Sequence, residues 1–86
     1  MIEREAMETR ADIRRFLARS FRNYAFRDDE DIFATGFVNS LFALQLVVFV
    51  ENAFGLSVES ADLEISNFNT IDAIHGFVER KRGQLL

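Results

Sequence analysis

The chain holds few residues that could do chemistry of their own. Its single histidine, His75, lies beside Gly76, and there is no cysteine among the 86 residues. Converging an acid, a base and a nucleophile on one pocket is therefore unsupported, and no enzymatic activity is expected. His75 reads as a surface or half-buried helix residue. Of five serines, at 20, 40, 57, 60 and 66, only Ser40 sits at a sharp loop-to-helix junction, after Gly36 and Asn39 and directly before Leu41-Phe42-Ala43-Leu44. A serine there has two readings. As an N-cap its hydroxyl accepts a hydrogen bond from a first-turn N–H, and its removal costs roughly 0.5–2 kcal/mol. Alternatively, the free N–H groups and dipole of a helix N-terminus favour a phosphate, so the hydroxyl is well placed to carry a phosphodiester. A serine hydrolase is disfavoured, because no base stands ready to activate the hydroxyl. The acid run Asp28-Asp29-Glu30-Asp31 lacks the alternating ligands and central glycine of a calcium loop, and no metal site is expected.

The elements that must position Ser40 follow from periodicity. Residues 3–19 predict a first helix, with Ile13, Phe16 and Leu17 on one stripe continued by Phe21, its acids first and its arginines last as the helix dipole favours. Residues 23–39 read as a long loop pinned to the core by Tyr24, Phe26, Ile32, Phe33 and Phe37. Residues 40–54, closed by Gly55, predict a second helix. On it Phe42, Ala43, Leu46, Val47, Phe49, Val50, Ala53 and Phe54 form a wide core-facing arc. Gln45, Glu51 and Asn52 lie on the other side together with Leu41, Leu44 and Val48. That apolar row either lies under the long loop or is a docking surface. Residues 60–66 predict a short third helix and residues 70–82 a fourth, with Asn69 as N-cap, Asp72 in its first turn, and Ile71, Ile74, Phe77 and Val78 inward. The expected fold is all-α: a small four-helix bundle spanning residues 1–86 as one domain.

Composition narrows the functional classes. About half the residues are apolar and ten are Phe, enough for a core without staples in a chain too short for a second domain. The absence of cysteine excludes disulfides and thiolate metal sites. Net charge is −4, but its distribution is uneven. Residues 1–27 carry seven arginines against four acids, whereas residues 28–79 carry ten acids and no Lys or Arg. The acidic middle is a surface that basic partners could read and makes nucleic acid a poor partner. The N-terminus lacks a signal-peptide core, and the apolar run from Leu41 to Val50 is far shorter than the ~20 residues that span a bilayer. A cytoplasmic location without membrane insertion is expected.

The segment Gly36-Phe37-Val38-Asn39-Ser40-Leu41, with the apolar helix behind it and Phe54-Gly55 at its end, resembles the acyl and peptidyl carrier proteins. Asp31-Ile32-Phe33 before it and Asn67-Phe68 through Thr70-Ile71-Asp72-Ala73-Ile74 after it look like further landmarks in order, so the likeness covers most of the chain. It implies that Ser40 is the attachment serine, onto which a phosphopantetheinyl transferase moves 4'-phosphopantetheine from coenzyme A, and that the arm's thiol then carries an acyl or aminoacyl thioester. Asn39 stands where the family has an aspartate, which keeps the shape and removes a charge. Glu51 is the only acid of helix two, so docking through Leu41, Leu44, Val48 and Glu51 is expected to be mainly apolar and weakly salt-dependent. Residues 36–51 look most like stand-alone carriers of methoxymalonyl-type polyketide extender units. That narrower likeness implies loading and modifying enzymes for a three-carbon hydroxy acid, and a polyketide synthase acyltransferase, as partners. The alternatives are an aminoacyl or peptidyl carrier and an unmodified helical module that binds a partner helix, with Ser40 only a cap.

Overall fold

The computed structural model describes residues 2–22, 24–35 and 39–85, and the side chains of residues 7–22, 24–34 and 39–83. Among them the chain forms three α-helices, α1 (Ile2–Ser20), α2 (Ser40–Phe54) and α3 (Ile71–Leu85), and no strand. The expected short third helix over 60–66 is instead two separate three-residue 3-10 turns, Ser60–Asp62 and Ile65–Asn67. The reason is local. Glu59 and Asp62 cap each other's backbone in a capping box, and the Asn67 side-chain amide donates to the Asp62 carbonyl at 2.8 Å. Short polar side chains that bond nearby backbone in this way compete with a continuous helix. A further 3-10 turn, Ile32–Thr35, lies in the long loop.

Each helix buries a narrow stripe. Thr9, Ile13 and Leu17 of α1 face Ile71, Ile74, Phe77 and Val78 of α3, all with at most 3% of their surface exposed. α2 buries only Phe42, Leu46 and Val50, one residue per turn. Val47, Phe49 and Phe54 pack against the core beside that stripe, so most of the arc expected on α2 faces inward. Ala43, Val47, Phe49 and Phe54 are half-buried at its edges, and Ala53 is exposed. α2 is joined to α1 by aromatic rings. Phe16 stacks on Phe49 at 4.5 Å between centroids and tilts against Phe42 at 5.8 Å. Phe21 meets Phe42 edge-on at 5.1 Å. Offset and edge-on ring pairs add about 0.5–1.5 kcal/mol beyond the area they bury.

The long loop is sewn to α1 and α3. Phe26 and Ile32 are buried as expected, whereas Tyr24 is 42% exposed. Phe37 lies outside the described residues. Ile32 N–H donates to the Asn69 carbonyl at 2.7 Å, and Asp72 N–H donates to the Asp28 carbonyl at 2.9 Å. Arg10 bridges the Asp28 and Asp72 carboxylates at 2.8 and 2.6 Å. Arg14 contacts Asp28 and donates to the Phe26 carbonyl at 3.1 Å. The cap of α3 is Thr70, whose Oγ1 accepts from Ala73 N–H at 2.8 Å, not Asn69, whose carbonyl already holds Ile32.

Lys81 of α3 is the one charged side chain that the described part of the fold buries. Its Nζ lies 2.8 Å from Asp62 and 3.4 Å from Glu59, tying the 59–62 turn to α3. The bond from Lys81 holds the Asp62 carboxyl below the usual aspartate range, and the Asp62 carboxylate in turn raises Lys81. A lowered aspartate contributes stability that is full above its unfolded-state value, about 3.9, and is lost as pH falls through its native value. Thermal unfolding followed from pH 7 downward should therefore show the Tm gap between wild type and Asp62→Asn constant until pH about 4 and shrinking below it. A gap unchanged across that range would assign no linkage to this pair.

Candidate functional site

α2 begins at Ser40 because Asn39 ends the loop. Asn39 is extended, with φ −126° and ψ −178°, and its side-chain oxygen accepts from Phe42 N–H at 2.9 Å. Its carbonyl takes the first helical bond, from Ala43 N–H at 3.1 Å. Asn39 is thus the N-cap, and the expectation that Ser40 caps the helix is corrected. Asparagine ranks with serine at this position, so the sequence held two adjacent candidates. Ser40 is the first helical residue. It is exposed, and its hydroxyl makes no hydrogen bond among the described residues. Gly36, Phe37 and Val38, the first half of the motif, lie outside the described residues.

Behind Ser40 the outer face of α2 is apolar. Leu41, Leu44 and Val48 are 62%, 61% and 45% exposed, so the long loop does not cover them. Glu51, placed with this row from the sequence, is half-buried, and its Oε2 accepts from Val58 N–H at 2.9 Å. That carboxylate braces the turn after α2. Gly55 closes the helix in the left-handed region at φ 64°, with its own N–H and that of Leu56 both donated to the Glu51 carbonyl. In front of Ser40, Asn39, Leu41, Phe42 and Gln45 form one wall of a polar cleft, and Arg19, Ser20 and Phe21 at the end of α1 form the other. The approach of Arg19 to this cleft was not legible in the sequence, because it depends on how the loop returns the chain to α1.

His75 takes no part in the site. It is 17% exposed, on α3, with Nε2 3.6 Å from Glu79. The acid run is likewise structural. Beyond the Asp28 contacts, Asp31 Oδ1 accepts from the N–H groups of Phe33 and Ala34 at 2.9 and 3.2 Å. Glu30 accepts from the Tyr24 hydroxyl and from Arg27 N–H. The Tyr24 bond lowers the Glu30 carboxyl and raises the Tyr24 phenol. Among the described residues no group of His, Asp and Glu could hold a metal ion, and no helix is long and apolar enough to cross a membrane.

Among the described residues the fold is all-helical, with Ser40 exposed at the head of a helix whose outer face is apolar. No protein-family model matches the chain. It is 31% identical over 61 residues to the D-alanyl carrier protein of Lactococcus lactis subsp. lactis (strain IL1403), an alignment covering 69% of this chain and 77% of that protein. The chain belongs to the carrier-protein family. Carrier proteins are not enzymes, and those of this kind bear a phosphopantetheine arm. The residues here fit such an arm: Ser40 is exposed and free of capping, and the cleft beside it is lined by an arginine and by no acid.

The two neighbours should separate cleanly in stability. Asn39→Ala should cost about 1 kcal/mol, a Tm loss of roughly 4–8 °C for a chain of this size. Ser40→Ala should fall within about 0.5 kcal/mol of wild type. Urea unfolding of both variants checks this, and a larger loss in Ser40→Ala would return the cap to the serine.

Proposed function

We propose that the protein carries its cargo on a 4'-phosphopantetheine arm esterified to Ser40. The observation that supports this reading most directly is the division of labour at the start of α2, where Asn39 caps the helix and Ser40 is left exposed. In the loading reaction Ser40 Oγ forms the new P–O bond to the pantetheine phosphate of coenzyme A. The pyrophosphate P–O bond breaks, and adenosine 3',5'-bisphosphate leaves. The serine proton passes to a base on the transferase, because the cleft beside Ser40 is lined by no histidine and no carboxylate. Once attached, the arm supplies the thiol that this cysteine-free chain lacks, and the cargo is held on it as a thioester.

Leu41, Leu44 and Val48 are proposed as the docking row for the transferase and for the enzymes that load and modify the cargo, with Glu51 at its far end. Apolar anchors of this kind, once desolvated at the centre of an interface, dominate its energy. Two cargoes are in view. The resemblance of residues 36–51 to stand-alone extender-unit carriers favours a methoxymalonyl-type acyl group, which a polyketide synthase acyltransferase would receive. The D-alanyl carrier protein of L. lactis favours the second reading, an aminoacyl group.

Intact mass after incubation with coenzyme A and a broad-specificity phosphopantetheinyl transferase tests the attachment. Wild type should gain one phosphopantetheine and Ser40→Ala none. If wild type gains nothing, Asn39→Asp reports whether the missing charge blocks the transferase. If that variant also stays unmodified, the arm is refuted and an unmodified interaction module takes its place. The holo protein is then offered D-alanine or a three-carbon hydroxy acid, each with ATP and an activating ligase, and the mass of the thioester names the cargo class.

A further inference from the structure

The arginines of this chain are not equivalent. Arg10, Arg14, Arg15, Arg27, Arg80 and Arg82 each hold a carboxylate, a carbonyl, an amide or a hydroxyl oxygen. Arg19 and Arg22 hold none among the described residues. Arg22 opens onto a separate groove beside Tyr24 and Phe26. Arg19 lines the cleft that Asn39 and Leu41, the neighbours of Ser40 on either side, line from across. The two walls are fixed to each other by the edge-on contact of Phe21 with Phe42 at 5.1 Å, so Arg19 keeps its place relative to the start of α2. The dipole of α1 accounts for a base in its last turn. It does not account for a guanidinium without a partner among the described residues in an acid-free cleft lined by both chain neighbours of Ser40.

A phosphodiester is a monoanion with two equivalent free oxygens, and a guanidinium matches it with two parallel N–H donors. Gln45, exposed on the same cleft, adds a side-chain amide donor. We propose that Arg19 anchors the phosphodiester of the arm on Ser40, so that the arm starts along the cleft between α1 and α2 instead of pointing freely into solvent. The inference rests on the attachment of the arm to Ser40, and it adds a direction: the first atoms of the arm lie toward α1, past Leu41 at the cleft's edge and away from Leu44 and Val48.

Phosphorus and amide NMR of the enzymatically loaded protein tests it, since both readouts are independent of cargo transfer. In holo wild type the phosphodiester resonance should move as salt is raised from about 0.01 M to about 1 M, over which screening tightens from ~30 Å to ~3 Å. The Gln45 side-chain amide should shift between apo and holo forms. Arg19→Gln should abolish the salt-dependent movement and most of the Gln45 shift, Arg19→Lys should restore part of both, and Arg22→Gln should leave both as in wild type. Identical phosphorus resonances and Gln45 shifts in holo wild type and holo Arg19→Gln would overturn the anchor while leaving the arm on Ser40. The absence of any phosphodiester resonance in treated wild type would overturn the attachment itself.

Discussion

Asp28 decides the shape of this molecule. Its carboxylate meets Arg10 and Arg14 of α1, and its carbonyl accepts the Asp72 N–H in the first turn of α3. One loop residue thereby joins two helices that are distant in sequence, and Arg10 closes the triangle through Asp72. A loop of this length, with the Ile32–Thr35 turn as the regular structure among its described residues, loses much conformational entropy on ordering. It is held here because Phe26 and Ile32 are buried on either side of Asp28, which places the carboxylate in partly buried surroundings where its pairs are less screened than at an open surface. Arg10 is 29% exposed and Asp28 36%, so the knot is best regarded as directional: apolar anchors supply the energy, and the charges choose which part of the loop lies where.

With the loop fixed between α1 and α3, α2 has little left to bury against. Its buried stripe is Phe42, Leu46 and Val50, and its attachment to α1 runs through rings contributed by Phe16 and Phe21. A helix rich in valine, leucine and phenylalanine then shows apolar side chains to solvent by necessity, because its partners cover one side only. The same geometry brings the end of α1, with Arg19, to the start of α2. The exposed serine, the apolar row behind it and the arginine in front of it all follow from one helix held by a narrow seam.

What could be read from the sequence was what depends on local period and chain punctuation. The inward faces of α1 and α3, the stop at Gly55, the outward set of Leu41, Leu44 and Val48, and the anchoring by Phe26 and Ile32 all follow from spacing and from the scarcity of partners for large apolar groups. The failures have a common cause. Asn39 and Ser40 are both good caps, as are Asn69 and Thr70, and only the backbone conformation decides between neighbours. In residues 60–66 the helical period competes with side-chain bonds from Asp62 and Asn67 that the period does not register. The partnership of Asp28 with Arg10 and Arg14 is a long-range pairing among many possible pairs of opposite sign, so charge counting identified both stretches and joined neither.

That pairing also changes the meaning of the acidic middle. Of the ten acids between residues 28 and 79, Glu64 alone has a carboxylate without a partner among the described residues. The others hold arginines, a lysine, a tyrosine hydroxyl or backbone N–H groups. The net charge of −4 persists as a field that would steer basic partners over a Debye length. Short-range recognition by carboxylates is another matter, because an acid already bonded to its own backbone must give up that bond to meet a partner. An enzyme meeting the proposed docking row of Leu41, Leu44 and Val48, side chains that lose only water on contact, would face no such cost, so charge would govern how often it arrives and the row how long it stays.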